Sequence, residues 1–245
     1  MAAPRWSVPA FFAPQQYLRK PDGLAMAVVI MLAVVAGLDL LAMAAGQNIR
    51  RVLGDGLEND FATFDDAEAT LADNLYGSAG ASQSVMVLAT AIVFIIWFRR
   101  MRLNAEVFDP NAQRMAPGWA VGAWFIPFAN LVLPRRIAGG IWTASDRANT
   151  DGSGRTAPTT PMNLWWGAWI CSLVFSRVAS QQYARAEEPQ EVIDAAGMVM
   201  ASDAFDAVAA VLAILFVRKL TRMQGERAAL GMFPLSARFT GGRTD

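Results

Sequence analysis

The chain has 245 residues, of which 54% are hydrophobic and 17% are charged, and its 21 basic and 21 acidic residues leave no formal net charge. It contains no histidine, which excludes bis-histidine haem and histidine-ligated zinc or copper. Its one cysteine, Cys171, cannot form an intramolecular disulfide or an iron–sulfur centre. The length suits one bundle of helices rather than two domains.

Four apolar stretches are each long enough to cross a lipid bilayer, and they cover residues 24–45, 81–98, 162–181 and 195–217. About 20 helical residues span a hydrocarbon core of roughly 30 Å. The first stretch exceeds the roughly 7–15 apolar residues of a signal peptide, so we expect it to be retained as a span. The sequence therefore predicts an all-α fold, a polytopic membrane helical bundle with four transmembrane helices.

The acid-rich segment 57–75 is predicted to form an amphipathic helix on the outer face. Its apolar residues recur at helical spacing, and Asp55 followed three residues later by Glu58 fits a capping box. Such a helix either lies solvated over the bundle or presents a surface to a partner, and the spacing of its acids does not match a calcium loop. The apolar positions are Leu57, Phe61, Phe64, Leu71 and Leu75, and the acidic ones are Asp60, Asp65, Asp66, Glu68 and Asp73.

Segment 119–142 is apolar but interrupted. Pro127 and Pro134 each remove a helix donor, and Asn130 and Arg135 add polar groups near its middle. Broken backbone at membrane depth is tolerated only where protein or water covers it. We therefore predict a re-entrant or interfacial pair of short helices packed against the four spans, with a fifth span as the alternative.

The distribution of charge predicts the orientation of the chain. Basic residues concentrate in 99–114, 135–155 and 218–243, whereas acidic residues concentrate in 55–73 and 187–194. Basic loops stay on the cytoplasmic side of a membrane. With four spans, every loop and both termini agree with this rule, whereas a fifth span would place the basic tail outside. We predict a multi-pass plasma-membrane protein with both termini cytoplasmic. Its parts are an N-terminal segment 1–23, one membrane domain 24–228 and a cytoplasmic tail 229–245.

Four ionisable residues lie within the predicted spans, all in the outer half of the membrane: Asp39, Arg177, Asp203 and Asp206. Such groups are costly in lipid and usually face the bundle interior or water. Asp203 and Asp206 share a helix face, so we expect Arg177 on the preceding helix to pair with one of them, with Asp39 as second candidate. This intramembrane charge network either fixes helix register, relays protons or cations, or lies in shallow contact with outer water.

A run of aromatic, proline and polar residues after the second span resembles the domain-of-unknown-function family 4328 of small bacterial membrane proteins. The resemblance covers about residues 24–228 and implies a multi-span plasma-membrane protein without an assigned activity or catalytic residues. The residues that carry it are Trp97-x-x-Arg100-x-x-x-Asn104, Pro117-Gly118-Trp119-Ala120, Trp124-Phe125-Ile126-Pro127-Phe128-Ala129-Asn130, Pro134, Trp142 and, in the tail, Arg218-Lys219-Leu220-Thr221, Gln224 and Arg227.

Within this run we predict a polar cluster on the cytoplasmic side, formed by Arg100, Asn104, Asn130 and Arg135. Arg100 and Asn104 end the second span on the same side as the proline-broken segment. The cluster either caps carbonyls freed by the prolines or binds a lipid headgroup or another anion.

The sequence lacks a glycine-rich phosphate loop, paired cysteine motifs and a Gly-x-Ser-x-Gly pattern. We therefore expect no enzymatic activity, no cofactor or metal, and no nucleic-acid partner. The favoured function is a non-catalytic accessory or scaffolding subunit of a membrane complex. The alternative is a small transporter or proton- or ion-conducting protein that uses the intramembrane carboxylates. The expected partners are the lipid bilayer, including anionic lipid at the cytoplasmic face, and another protein chain or a second copy.

Overall fold

The computed structural model describes residues 18–59, 62, 65–146 and 156–230, which form six α-helices and two short 3-10 turns without a strand. The all-α prediction is confirmed for these residues. The predicted N-terminal segment as far as residue 17, Asp60, Phe61 and Phe64 of the predicted outer helix, and the tail from residue 231 lie outside the described residues. The helices are α1 (Asp22–Glu58), α2 (Asp66–Phe108), α3 (Trp119–Gly122), α4 (Leu133–Ser145), α5 (Thr160–Tyr183) and α6 (Pro189–Ala229), with 3-10 turns at Pro110–Ala112 and Ala129–Leu131.

The prediction of one amphipathic helix over 57–75 is wrong, because α1 continues to Glu58 and a new helix starts after Asp65. The Asp65 carboxylate accepts hydrogen bonds from the backbone N–H of Ala67 at 2.8 Å and of Glu68 at 3.3 Å. It therefore satisfies two donors that the first turn of α2 leaves without a helical partner.

An ion pair links the end of α1 to the start of α2. Arg51 Nη2 lies 2.7 Å from Glu68 Oε1, and Arg51 Nη1 lies 3.6 Å from Asp55 Oδ2. Asp55 lies within the last turn of α1 and does not cap the predicted outer helix. All three side chains are at least half exposed, so these pairs contribute no more than about 1 kcal/mol each to stability.

Three of the described helices, α1, α2 and α6, are long and apolar enough to cross a membrane by length and composition. They contain 37, 43 and 41 residues, so each exceeds the roughly 20 residues that a bilayer core requires. Helix α5 has 24 residues, which is long enough to span a membrane, but its most apolar stretch is less apolar than those of the other three. Its aliphatic residues are interrupted by Trp165, Trp166, Trp169 and Arg177. The coarse prediction of membrane-length apolar helices is confirmed for three of the four stretches.

Helices α1 and α6 form the central pair of the bundle. Helix α1 packs most extensively on α6 and also on α2, α5 packs on α6, and α4 contacts α2, α5 and α6 near one end. Small residues let helix backbones approach closely, and such van der Waals packing drives helix association in lipid. The small buried residues of these two helices are Ala25, Ala42, Gly46, Gly56, Ala195, Ala196, Ser202, Ala209, Ala210 and Ala213.

Gly46 shows how tight this packing is. A Cβ atom at Gly46 would lie 2.8 Å from Met200 Cγ on α6 and 3.3 Å from a ring carbon of Tyr76 on α2. We expect Gly46→Val to destabilise the fold by roughly 1–3 kcal/mol through overpacking, read as a lower unfolding temperature by tryptophan fluorescence in detergent. Adding Met200→Ala should recover part of the loss. Gly37→Val is the matched control, because a Cβ there meets no atom within 4 Å apart from the adjoining residues and backbone of its own helix. Equal losses at both glycines would contradict the packing argument.

Segment 119–142 is broken into α3, a 3-10 turn and α4, and its two helices have only 4 and 13 residues. Pro134 stands in the first turn of α4, where a missing N–H costs no hydrogen bond. Phe128, at the turn, has a φ of 61°, which a non-glycine residue adopts only under constraint. Neither helix has the length of a span.

Stacked aromatic rings fill the bundle near α4. Phe216 of α6 stacks on Trp165 of α5, with centroids 4.2 Å apart, and on Trp142 of α4, with centroids 6.3 Å apart. Trp97 of α2 meets the same ring edge-on at 6.0 Å and is fully buried. This cluster joins four helices and closes the interior of the bundle at that end.

Candidate functional site

Two carboxylates from different helices accept hydrogen bonds from one side-chain amide on a third helix. The Nε2 atom of Gln83 on α2 donates to Asp39 Oδ1 on α1 at 2.9 Å and to Asp203 Oδ1 on α6 at 3.1 Å. Asp39 occupies the buried face of α1 together with Val35, Ala42 and Gly46, at the spacing of successive helical turns. The same face that packs α1 into the bundle therefore carries the carboxylate inward.

The two carboxylates are buried and incompletely partnered. Asp39 is 2% exposed and Asp203 is 6% exposed. The Oδ2 atom of each is buried without a hydrogen-bond partner, and within the described part of the chain neither carboxylate forms an ion pair. Two adjacent carboxylates in apolar surroundings cannot both keep an unbalanced negative charge. We call Asp39, Gln83 and Asp203 the acidic site.

Asp206 is satisfied by serine hydroxyls instead. Its Oδ1 accepts a hydrogen bond from Ser172 Oγ, and its Oδ2 accepts one from Ser176 Oγ at 2.9 Å. Ser176 also lies 2.8 Å from the hydroxyl of Ser202. Asp203 and Asp206 were predicted to share a face, but Asp203 turns toward α1 and α2 whereas Asp206 turns toward α5.

The predicted pairing of Arg177 with Asp203, Asp206 or Asp39 is wrong. Arg177 is exposed and forms no ion pair with any described residue. The preceding residue, Ser176, occupies the face of α5 that meets α6. One residue is a rotation of about 100° around a helix, so Arg177 points away from the acids.

This arrangement predicts a small effect for Arg177→Leu. Substituting an exposed side chain that forms no ion pair changes the free energy of unfolding by no more than about 0.5 kcal/mol. We expect the unfolding temperature in detergent to stay at the wild-type value, measured by tryptophan fluorescence. A loss of several degrees would restore the buried-pair hypothesis.

A cleft of about 700 Å³ lies beside the acidic site. Its walls come from α1, α2, α5 and α6 and include Gln83, Asp203 and the rings of Tyr76 and Tyr183, whose centroids are 5.4 Å apart. Asp73 adds a further carboxylate, and no basic residue stands among the described residues that line the cleft. The charge of the lining therefore favours cations over anions.

The four residues predicted to form the cytoplasmic-side polar cluster do not come together. Arg100 donates to the backbone carbonyl of Lys20 at 3.1 Å. Arg135 donates to Asn163 of α5 at 3.1 Å, because it lies in the first turn of α4, which faces that helix. Asn130 makes no side-chain hydrogen bond to another described residue, so it does not join the cluster.

Asn104 belongs to a different buried network. Its side chain pairs with the backbone of Arg19, accepting from N–H at 3.0 Å and donating to the carbonyl at 2.9 Å. It also donates to Gln224 Oε1 at 3.1 Å, and Gln224 donates to the Met101 carbonyl at 2.9 Å and to Ser145 Oγ at 3.3 Å. Gln224 thus ties α2, α4 and α6 together.

Arg227 completes this network one turn further along α6. It is 4% exposed and donates to the carbonyls of Asp146 at 2.7 Å and Phe108 at 3.2 Å. Phe108 is the last residue of α2 and Asp146 directly follows α4, so Arg227 donates to the C-terminal ends of two helices. Burial lowers the pKa of Arg227, and the nearby carboxylates of Asp109 and Asp146 oppose that shift. The guanidinium caps two helices at once.

Sequence reasoning missed Gln83 and the three serines around Asp206. The signal was present, because Ser172 and Ser176 stand four residues apart in an apolar stretch and so share one face of the helix. Gln224 and Arg227 were noted in the sequence only as residues that carry the family resemblance, and no structural role was predicted for them.

The described residues form a helical bundle with three apolar helices of membrane length and a buried acidic site. The model of the family described as Domain of unknown function (DUF4328) matches residues 61–222, and the chain belongs to that family. The comparisons with curated proteins and with solved structures found no match. In the described residues no group of three or more histidine, cysteine, aspartate or glutamate side chains is arranged to hold a metal ion.

Proposed function

We propose that the chain is an integral plasma-membrane protein with α1, α2, α5 and α6 as four spans and both termini in the cytoplasm. The charge asymmetry and the shortness of α3 and α4 support this topology. Helix α5 carries an outward apolar face in spite of its tryptophans, as a lipid-facing helix should. Its exposed apolar residues are Leu164, Leu173, Val174 and Val178.

Cysteine labelling tests this topology, because Cys171 is the single native cysteine. In a Cys171→Ser background, one cysteine is introduced at Asp55, near the end of α1, or at Arg222, near the end of α6. A membrane-impermeant maleimide added to intact cells should label Asp55→Cys and spare Arg222→Cys until the cells are opened. Labelling of Arg222→Cys in intact cells would indicate five spans or the reverse orientation.

Within this topology we propose that the protein binds and moves a proton or a small cation through the acidic site. The observation that carries the proposal is the pair of buried carboxylates on one Gln83 amide, each with an unpartnered oxygen and neither with a cationic partner. Ionisable groups kept inside a membrane domain against their desolvation commonly mark ion and proton pathways. A proton shared by the two acids, or a cation between them, balances their charge.

The cleft supplies access to the site from the outer side. Asp203 lines it directly, whereas Asp39 lies behind Gln83. Toward the cytoplasm the stacked rings of Trp97, Trp142 and Phe216 fill the interior. In this conformation the acidic site communicates with the outside, and release on the other side requires a rearrangement of the aromatic cluster.

Reconstitution into proteoliposomes tests this function. Flux is followed with an internal pH-sensitive dye under a proton gradient, and with radioactive sodium or potassium under gradients of those ions. We expect one gradient to drive flux above that of protein-free vesicles. The absence of flux under every gradient would remove the proposal.

A second candidate is a non-catalytic accessory or scaffolding subunit of a membrane complex. The exposed Leu71 and Leu75 near the start of α2 favour it, since they precede the predicted span 81–98 and so lie beyond the lipid. Purification in mild detergent should then retain another chain at fixed stoichiometry, and a strictly solitary protein would count against this candidate.

A further inference from the structure

A second cavity, of about 400 Å³, lies between the end of α2, the loop that follows it, and α4. Three arginines line it: Arg102 from α2, Arg114 from the loop and Arg136 from α4. No acidic side chain stands among its described lining residues. This cavity therefore has the opposite electrostatic character to the cleft beside Asp203.

Arg102 is held in place at the base of the cavity. It is 3% exposed, its Nη1 lies 3.1 Å from Glu106 Oε2, and its Nη2 donates to the Met115 carbonyl at 2.6 Å. Glu106 balances this one charge. Arg114 and Arg136 are exposed and form no ion pair with any described residue, so two positive charges at the cavity have no counter-charge in the described part of the chain.

Gln113 supplies a further donor that lacks an acceptor. Its Nε2 is buried, lines the cavity with the rest of the side chain, and has no hydrogen-bond partner in the described residues. The loop is seated directly on α4, where a Cβ at Gly140 would lie 3.0 Å from the Ala112 carbonyl and 3.2 Å from Gln113 Oε1. Gly140 thus permits the close approach that sets the cavity wall.

We infer that this cavity binds a phosphate group, carried either by a lipid headgroup or by a free phosphate compound. Guanidinium groups form paired, charge-assisted hydrogen bonds with phosphate oxygens, and the Gln113 amide adds a neutral donor. Arg102 lies just beyond the predicted end of the second span (81–98), which is the depth of lipid headgroups. The inference is independent of cation movement, because it uses none of the residues of the acidic site.

The test uses the full chain in a nonionic detergent without phospholipid, with thermal unfolding followed by tryptophan fluorescence. One arm titrates inorganic phosphate at constant ionic strength, and the other adds phosphatidylglycerol, with phosphatidylcholine for comparison. Arg114→Gln/Arg136→Gln removes the two unpaired charges. Arg218→Gln/Arg222→Gln is the matched control, because it makes the same charge change at exposed positions of α6 outside the cavity.

We expect at least one arm to stabilise the wild type, and the cavity double variant to weaken the apparent affinity at least about tenfold while the control keeps it. Gly140→Leu should also weaken the apparent affinity, because the larger side chain displaces the loop at Ala112 and Gln113 while all three arginines remain. A response to inorganic phosphate identifies a free phosphate compound, and a response to phosphatidylglycerol alone identifies a headgroup. Stabilisation by neither, or equal losses in both double variants, would overturn the inference.

Discussion

Asp203→Asn is expected to reduce cation or proton flux in proteoliposomes at least about tenfold, because an amide neither takes up a proton near neutral pH nor balances a cation. The fold should survive, since the asparagine oxygen can still accept the hydrogen bond from Gln83. Asp39→Asn should reduce flux in the same direction, because both acids share one amide donor. Flux is measured at equal protein incorporation.

Asp206→Asn is the matched control for this result. Asp206 lies three residues away on the same helix, but both of its oxygens already accept serine hydrogen bonds. We expect the flux of the Asp206→Asn variant to stay within about twofold of wild type, because Asp206 is already satisfied by hydrogen bonds to serine and so has a structural role. Wild-type flux in Asp203→Asn, or an equal loss in Asp206→Asn, would refute the assignment of the acidic site while leaving transport itself open to another site.

Arg227→Leu is expected to destabilise the protein by about 2–4 kcal/mol, because it removes two buried hydrogen bonds that a charged guanidinium donates to the carbonyls of Phe108 and Asp146. The loss should appear as a fall of several degrees in unfolding temperature in detergent. Arg227→Lys should give an intermediate value, since an ammonium keeps the charge but cannot fork between two carbonyls.

Arg222→Leu provides the comparison on the same helix. Its side chain is 66% exposed and lies 3.7 Å from Glu226, so its removal should change stability by no more than about 0.5 kcal/mol. Equal effects of the two leucine substitutions would mean that Arg227 does not cap α2 and α4. Loss of flux without loss of stability in Arg227→Leu would instead connect it with function.

The separation of the two networks follows from where each lies along the helices. The acidic site sits at Gln83 on α2, well before the aromatic cluster around Trp97, and the Gln224–Arg227 network sits beyond it. Substitutions in one network share no partner with the other, so their effects should add in a double variant. The acidic site holds two buried carboxylates that form no ion pair with any described residue, whereas Gln224 and Arg227 donate to backbone carbonyls of α2 and of the chain just after α4. This contrast supports a functional role for the first and a structural role for the second.

The amino-acid sequence was sufficient to predict the helical class, three of the four membrane-length helices and the broken segment 119–142. These depend on local composition, because twenty apolar residues or a proline act through their own segment of chain. It also identified Asp39 and Asp203 as unusual, since a carboxylate in an apolar stretch is conspicuous without any knowledge of its neighbours.

The contacts between polar side chains, in contrast, depend on how the helices pack against one another. Arg177 and Ser176 are adjacent in sequence, yet the rotation of α5 against α6 turns the serine toward Asp206 and the arginine outward. That rotation is set by close packing of small residues across helices, which no local pattern encodes. The same reason explains why Asn104 meets Gln224, 120 positions away, and not Asn130: partners are selected by the facing of helices, whereas the sequence determines only what each helix carries.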